Sequence, residues 1–153
     1  MRHFHRLLII IIITIMIQFI GINCSIAKNQ QSTVSLKEIQ EILKTNSNLH
    51  NKNLSKSNLS GVDFSKIRMT HTDLSGANLS HANLSDAILL FTNLDNTNLQ
   101  NANLSGCKMD HSSLNKVDMK DAELNLVIIE SAEMKGASLQ GANLRGAFIQ
   151  EVD

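Results

Sequence analysis

From Ser47 to Glu151 the chain repeats one five-residue unit twenty-one times without an insertion or deletion. Clear copies begin at Ala77, Ala82 and Ala102, where the sequence reads Ala-Asn-Leu-Ser followed by a variable residue. A short, unbroken period is typical of a solenoid, in which each repeat packs mainly against its neighbours. The repeat therefore constrains the fold class more directly than the function.

Each unit carries one large apolar residue, here called the centre, and a small residue usually lies two positions before it. The centres recur at every fifth residue from Leu49 to Ile149 and are all Leu, Met, Ile or Phe. Residues two apart in an extended chain point to the same side, so both side chains of each unit are expected to point inward. Lys52 and Ile67 are the clear exceptions at the small position. The predicted core includes Leu79, Leu84, Leu99, Leu104, Leu124 and Leu144.

An odd period keeps the same side of the chain inward only if the backbone turns a corner in every unit. A helix would need a period of about 3.6 residues and a flat strand a period of about 2, and the repeat fits neither. Glycine ends six of the units, and glycine suits a tight corner because it adopts positive φ without steric cost. The pattern therefore predicts an all-β solenoid.

These units resemble the pentapeptide-repeat family, whose consensus is Ala-(Asp/Asn)-Leu-x-x. The resemblance covers residues 47–151, about two thirds of the chain. It implies a right-handed quadrilateral β-helix with four units per coil, and therefore about five coils for the twenty-one units.

The N-terminal sequence has the layout of a secretory signal peptide. Residues 1–6 are basic, and residues 7–22 form an apolar run of sixteen residues, which is shorter than the roughly twenty needed for a membrane span. Cleavage after Ala27 would make 1–27 the signal peptide. Retention as an N-terminal anchor and lipidation at Cys24 stay open as alternatives. All three predict an exported bacterial protein, periplasmic or secreted, that touches a membrane only if this segment is retained or lipidated.

Between the signal and the repeat, residues 28–46 combine a polar linker with apolar residues at helical spacing. Ser35 followed by Glu38 forms a capping box. The pattern predicts an amphipathic helix from about Leu36 to Thr45 that covers the N-terminal end of the coil stack. No comparable segment follows the last unit, so we expect the C-terminal end to be uncovered.

The charge of the chain does not favour nucleic-acid binding. The whole chain has a formal net charge of zero, and residues 47–153 carry nine Lys and Arg against twelve Asp and Glu, a net charge of −3. Some proteins of the pentapeptide-repeat family are DNA mimics that protect gyrase, a role that needs strong negative charge and a cytoplasmic location. This role is the alternative function, and both features count against it.

No catalytic, metal-binding or cofactor-binding constellation emerges from the sequence. With four units per coil, His71, Phe91 and His111 lie one above another at one corner. Adjacent coils are about 4.8 Å apart, so the two histidines are about 10 Å apart, too far to share a zinc ion. Cys107 occupies a small position, which predicts a buried small hydrophobe and not a disulfide. Stacked Asn58, Asn78, Asn98 and Asp118 are expected to form a ladder of side-chain hydrogen bonds between coils.

The position just before each centre, here called the pre-centre position, is polar in nearly every unit. It is apolar only at Ile88, Ile128 and Phe148, whose spacings of forty and twenty residues place them on one face of a four-unit coil. Exposed apolar residues framed by polar ones usually mark a contact surface. Cover by the chain's own N-terminal segment, or the absence of any partner, are the alternatives. The predicted contact face comprises Ile88, Leu90, Phe91, Leu126, Ile128 and Phe148.

These observations predict a non-enzymatic, exported scaffold that docks an unknown protein partner, or a second copy of itself, through the contact face. The resemblance also implies a homodimer formed through the C-terminal coil, because related proteins often dimerise there. Phe148 lies both on the contact face and in the last coil, so we expect it to anchor such a dimer. Neither a nucleic-acid partner nor a cofactor is expected.

Overall fold

The computed structural model describes residues 36–45 and 48–153. The predicted signal peptide, the linker, Cys24 and Ser35 of the capping box lie outside the described residues. The predicted helix is present as α1, Leu36–Lys44, which ends one residue earlier than expected. No helix within the described ranges is long and apolar enough to cross a membrane.

Successive coils pair in parallel with a constant offset of twenty residues. Isolated bridges join Asn53 to Asp73, and the same offset continues to the bridge between Glu123 and Asn143. Regular strands appear only as β1, Ile128–Glu130, and β2, Phe148–Gln150, which pair in parallel with Ile128 opposite Phe148. One coil therefore contains four units, and the strands are short because every unit contains a corner.

The backbone of each unit is satisfied largely by the coils on either side. The N–H of a centre donates to the pre-centre carbonyl of the next coil, as from Leu79 to Asn98 at 2.7 Å. The pre-centre N–H donates to a carbonyl of the preceding coil, as from Asn78 to Ser57 at 2.9 Å. Buried backbone groups need such partners, so the ladder makes the solenoid self-consistent at every repeat.

Every corner turns through the residue two positions after a centre, here called the corner residue. Fifteen non-glycine and six glycine corner residues have positive φ, which accounts for all twenty-one units. Asn, Asp and His tolerate this conformation better than other L-residues. Phe91 and Leu126, with φ of 55° and 57°, are bulky residues in a conformation that such side chains rarely adopt.

The centres form one continuous apolar core. Leu79, Leu84, Leu99, Leu104 and Leu124 are fully buried. The prediction is wrong for Leu144, which is 38% exposed because no coil of the described residues stacks beyond it on its face. At the other end, Ile39 of α1 is fully buried within the same apolar cluster, and Ile42 and Leu43 pack against it. At the exceptional small positions, Lys52 is exposed and Ile67 is buried.

Candidate protein-contact face

Three of the predicted contact-face residues are aligned by the backbone ladder itself. Ile88 pairs with Lys108, Lys108 pairs with Ile128, and Ile128 pairs with Phe148. Phe148 is 50% exposed, and Ile88 and Ile128 are partly exposed. Lys108 lies in the same row and is exposed, so its aliphatic stem can continue the apolar surface. Leu90, two residues after Ile88, is also partly exposed.

An aromatic column borders this face at one corner. Phe91 stacks between His71 and His111, with ring centroids 5.0 Å apart on both sides and interplanar angles of 17° and 16°. His50 meets His71 edge-on at 5.6 Å. Phe91 is 49% exposed, and ring stacking on both faces helps to hold it at its unusual backbone conformation.

Phe91 separates His71 from His111, the two histidines that the sequence placed at this corner. Among the described residues, no His, Cys, Asp and Glu side chains gather into a group that could hold a metal ion.

Leu126 lies at the corner that leads into the contact face. It is 68% exposed, the largest exposed fraction among the large hydrophobic residues of the described ranges. Its side chain extends over Gly146 of the next coil, so that a Cβ added at Gly146 would lie 2.8 Å from Leu126 Cδ2. Beside it is a shallow cavity of about 420 Å³, also lined by Asn125, Asn143 and Arg145. The exposed side chain of Leu126 therefore adds apolar surface at the leading corner of the contact face.

Most of the polar pre-centre residues have a local function that sequence reasoning missed. In twelve units the Asn or Asp side chain accepts a hydrogen bond from the backbone N–H two residues later, as Asn103 Oδ1 does from Ser105 at 3.0 Å. This is an Asx bond, and it stabilises the turn toward the next corner. The sequence signal for this bond was the Asn or Asp that directly precedes most centres.

The predicted ladder of side chains between coils forms only in part. Asn78 Nδ2 donates to Asn58 Oδ1 at 3.3 Å, but no amide bond links Asn78 to Asn98 or Asn98 to Asp118. Asp118 instead accepts a hydrogen bond from Gln100 Nε2 at 2.7 Å, which lowers the pKa of its carboxyl group. The ladder prediction is therefore wrong for the links of Asn98 with Asn78 and with Asp118.

The contact-face row gives up the Asx bond in coil after coil. Ile88, Ile128 and Phe148 have no side-chain acceptor, and Arg68 and Lys108 in the same row have none either. From Arg68 onward this row lacks the bond in five successive coils, whereas the row of Asn53 lacks it in two, at Ser113 and Glu133. An Asx bond contributes on the order of 1 kcal/mol, so this row forgoes local stability that the other three faces retain in most of their coils.

Cys107 is buried and belongs to a second hydrogen-bonding pattern that the sequence analysis did not anticipate. Its Sγ donates to the Leu84 carbonyl at 2.7 Å, in the same way that Ser112 Oγ donates to the Leu89 carbonyl at 2.6 Å. Burial raises the pKa of the Cys107 thiol to about 12, so the thiol stays protonated at neutral pH. The sequence signal for this pattern was the presence of Ser and Thr at inward small positions. Each buried Ser or Thr residue gains a hydrogen-bond partner for its hydroxyl in this way.

The comparison with protein families settles the identity of the repeat. The model of pentapeptide repeats matches residues 45–76, 67–101, 92–130 and 112–150, with eight copies of the repeat. The chain belongs to the pentapeptide-repeat family. The resemblance noted in the sequence is therefore confirmed, and the fold is the right-handed quadrilateral β-helix of this family. Its members are generally non-enzymatic structural or interaction proteins.

Two solved structures illustrate the likeness. HetL, a pentapeptide-repeat protein of Nostoc sp. strain PCC 7120 involved in the regulation of heterocyst differentiation, is 32% identical over 67% of this chain and 48% of its own, with a TM-score of 0.65. Trypsin-treated QnrB1, a plasmid-mediated fluoroquinolone resistance protein, is 17% identical over 67% of this chain and 53% of its own, with a TM-score of 0.64. The chain spans about half the length of either protein, and the likeness to QnrB1 shows the fold alone. No curated protein sequence matches the chain.

Proposed function

We propose that this protein is an exported, non-enzymatic scaffold that binds a protein partner through its contact face. The scaffold is a β-helix of about five coils closed at its N-terminal end by α1. The observation that carries the proposal is the row from Ile88 to Phe148, where partly exposed apolar side chains and Lys108 replace the Asx bond found at most other pre-centre positions. Large apolar residues that reduce local stability along one face are better explained by binding than by folding.

The rigidity of the coil stack suits this role. The backbone ladder fixes the side chains of the contact face in rows before any partner arrives, so little conformational entropy is lost on binding. The partly exposed aromatic rings of Phe91 and Phe148 are the strongest candidates for anchors, since aromatic residues dominate the energetics of many interfaces.

The experiment that tests the contact face replaces Ile88, Ile128 and Phe148 with Asn. The triple variant should unfold at the same or a higher temperature than the wild type, because Asn can restore three Asx bonds. It should also lose the partner in a pull-down of the exported protein with identification by mass spectrometry. A variant that keeps its partner would refute the proposal, and one that unfolds more easily would show that the apolar row serves stability.

Export is proposed from the sequence of residues 1–27 alone. Mass spectrometry of the mature N-terminus separates the three alternatives. A chain that starts at Lys28 supports a cleaved signal, an acylated Cys24 supports a lipoprotein, and an intact Met1 supports an anchor. Recovery of the protein in the cytoplasmic fraction would remove the export proposal and reopen the DNA-mimic role, which the small net charge otherwise disfavours.

We also propose that the C-terminal coil forms a homodimer anchored by Phe148. Leu144 and Val152 are each 38% exposed in this coil, so a symmetric contact would cover them together with the unpaired strand edge. Sedimentation should show a dimer for the wild type and a monomer for Phe148→Asp. Ser138→Asp, a pre-centre change in the same coil on another face, should leave the dimer intact. A wild type that is monomeric at high micromolar concentration would refute this proposal without affecting the binding of another partner.

A further inference from the structure

The first coil has an incompletely paired backbone edge at Asp63. One coil above it, the Asn83 N–H donates to the Val62 carbonyl at 3.0 Å, and the Asn83 carbonyl accepts from the Phe64 N–H at 2.7 Å. Asp63 is the equivalent residue of the first coil, and its backbone N–H and carbonyl make neither bond with any described residue. Helix α1 packs against this coil through the buried Ile39, but none of its backbone groups bonds to Asp63.

Helix α1 forms the second wall of a groove along this edge. The groove has a volume of about 710 Å³ and is lined by the following residues of α1 and the first coil: Ile39, Gln40, Leu43, Lys44, Gly61, Val62, Asp63 and Ser65. Leu43 and Val62 are partly buried and give the groove an apolar floor. Gln40 is exposed, and its amide has no hydrogen-bond partner among the described residues.

The charged groups at this site are already committed to other partners. The Asp63 carboxylate accepts hydrogen bonds from the Ser65 backbone N–H and from Asn83 Nδ2, both at 3.0 Å. These bonds, chiefly those with Ser65, lower the pKa of the Asp63 carboxyl. Lys44 pairs with Glu41 at 2.8 Å. Among the residues that the structure describes, the groups of the groove without a partner are therefore a backbone donor, a backbone acceptor and a side-chain amide.

We propose that this groove binds an extended peptide segment of a partner protein, which adds one short parallel strand to the first coil at Asp63. Strand addition to an exposed edge is a recurrent mode of peptide recognition, and the volume lies within the roughly 300–1,000 Å³ typical of ligand clefts. Asn53 and Asn58 present equivalent unpaired edges on two other faces, but neither lines the groove, so neither has a second wall. This site is separate from the contact face and does not depend on it.

The ladder of the interior coils dictates the register of the bound segment. One carbonyl of the segment accepts the Asp63 N–H, and the N–H two residues later donates to the Asp63 carbonyl. In the interior coils these two positions are the small residue and the centre. The segment therefore carries a small residue, then a polar one, then a large apolar one that packs against Leu43 and Val62.

The probe for this site is the peptide acetyl-Ala-Asn-Leu-Ser-Gly-amide, which has that pattern. With uniformly ¹⁵N-labelled protein, the peptide should shift the Asp63 amide resonance saturably and slow its hydrogen exchange by about tenfold or more. The Asn83 amide, which is already paired, should not change. The same peptide with an N-methylated leucine lacks the N–H that donates to Asp63, and it should not bind.

Two matched tryptophan variants locate the peptide. Gln40→Trp fills the groove from the exposed side of α1 and should weaken peptide binding by about tenfold or more. Lys37→Trp places the same bulk at an exposed helix position outside the groove and should leave binding unchanged. Equal binding of the N-methylated peptide, or no change at Asp63 with millimolar peptide, overturns the proposal. Protection of the Asp63 amide without peptide also overturns it, because another part of this chain or a second copy would then be the occupant.

Discussion

Truncation of Leu104 tests whether the centres form the stabilising core. Leu104 is fully buried in the middle of the stack, with Leu84 and Leu124 as the centres of the coils below and above it. Leu104→Ala removes three carbon groups at about 0.8 kcal/mol each, or about 2.4 kcal/mol, and leaves a cavity that the stacked coils cannot close. The expected loss in the free energy of unfolding is therefore roughly 2–5 kcal/mol.

The chain supplies a matched control for this experiment. Leu144 is a centre on the same face, but it is 38% exposed. Leu144→Ala removes the same atoms. Because Leu144 buries less apolar area on folding, and its truncation leaves no closed cavity, the loss should be about 1.5 kcal/mol or less. Leu104→Met preserves the volume and should cost under about 1.5 kcal/mol. Urea titrations followed by circular dichroism give all three values, and a Leu104→Ala loss no larger than that of Leu144→Ala would refute the core assignment.

Three further substitutions and treatments test the turns, the buried thiol and the corners. Asn103→Ala removes an Asx bond and should cost about 0.5–1.5 kcal/mol in a urea titration, whereas Asn103→Asp should cost less because it keeps the acceptor. Burial raises the pKa of the folded Cys107 thiol from its ordinary value of about 9.0 to about 12, so an iodoacetamide assay should label it only after unfolding. Because the unfolded thiol ionises first, stability should be lost as pH rises from about 9 towards about 12, and Cys107→Ala should flatten that loss. Gly61→Ala should lower the melting temperature through the positive φ of 69° alone, since an added Cβ there meets no atom within 4 Å; an unchanged melting temperature would contradict this.

The register of the repeat was predictable because the burial of the apolar residues in each unit determines it. An inward pair in each unit identifies the centres, and the periodicity of five places His71, Phe91 and His111 at one corner, as the structure shows. The helix α1 was predictable from its apolar spacing for the same reason. The partial exposure of Leu144 was missed because a pattern of inward residues does not say which coils are covered.

The polar interactions were less predictable, since each polar side chain has several partners within reach. Asn98 was expected to bond to its neighbours in adjacent coils, but its Oδ1 accepts the Gln100 backbone N–H at 3.0 Å. Periodicity gives the position of such a residue and not its choice between a local turn and a stacked amide. The groove at Asp63 was also beyond sequence reasoning, because it depends on where α1 lies against the first coil.

The constant offset of twenty residues between paired coils has a consequence for how such a chain can change length. Insertion or deletion of one unit keeps every centre inward, so the core accepts it. The same event rotates all later units by one face, which would move Ile128 and Phe148 away from Ile88. Only a change of four units preserves the alignment. The core of such a chain therefore tolerates changes in length by any number of units. The alignment of surface residues into rows is kept only when the length changes by whole coils.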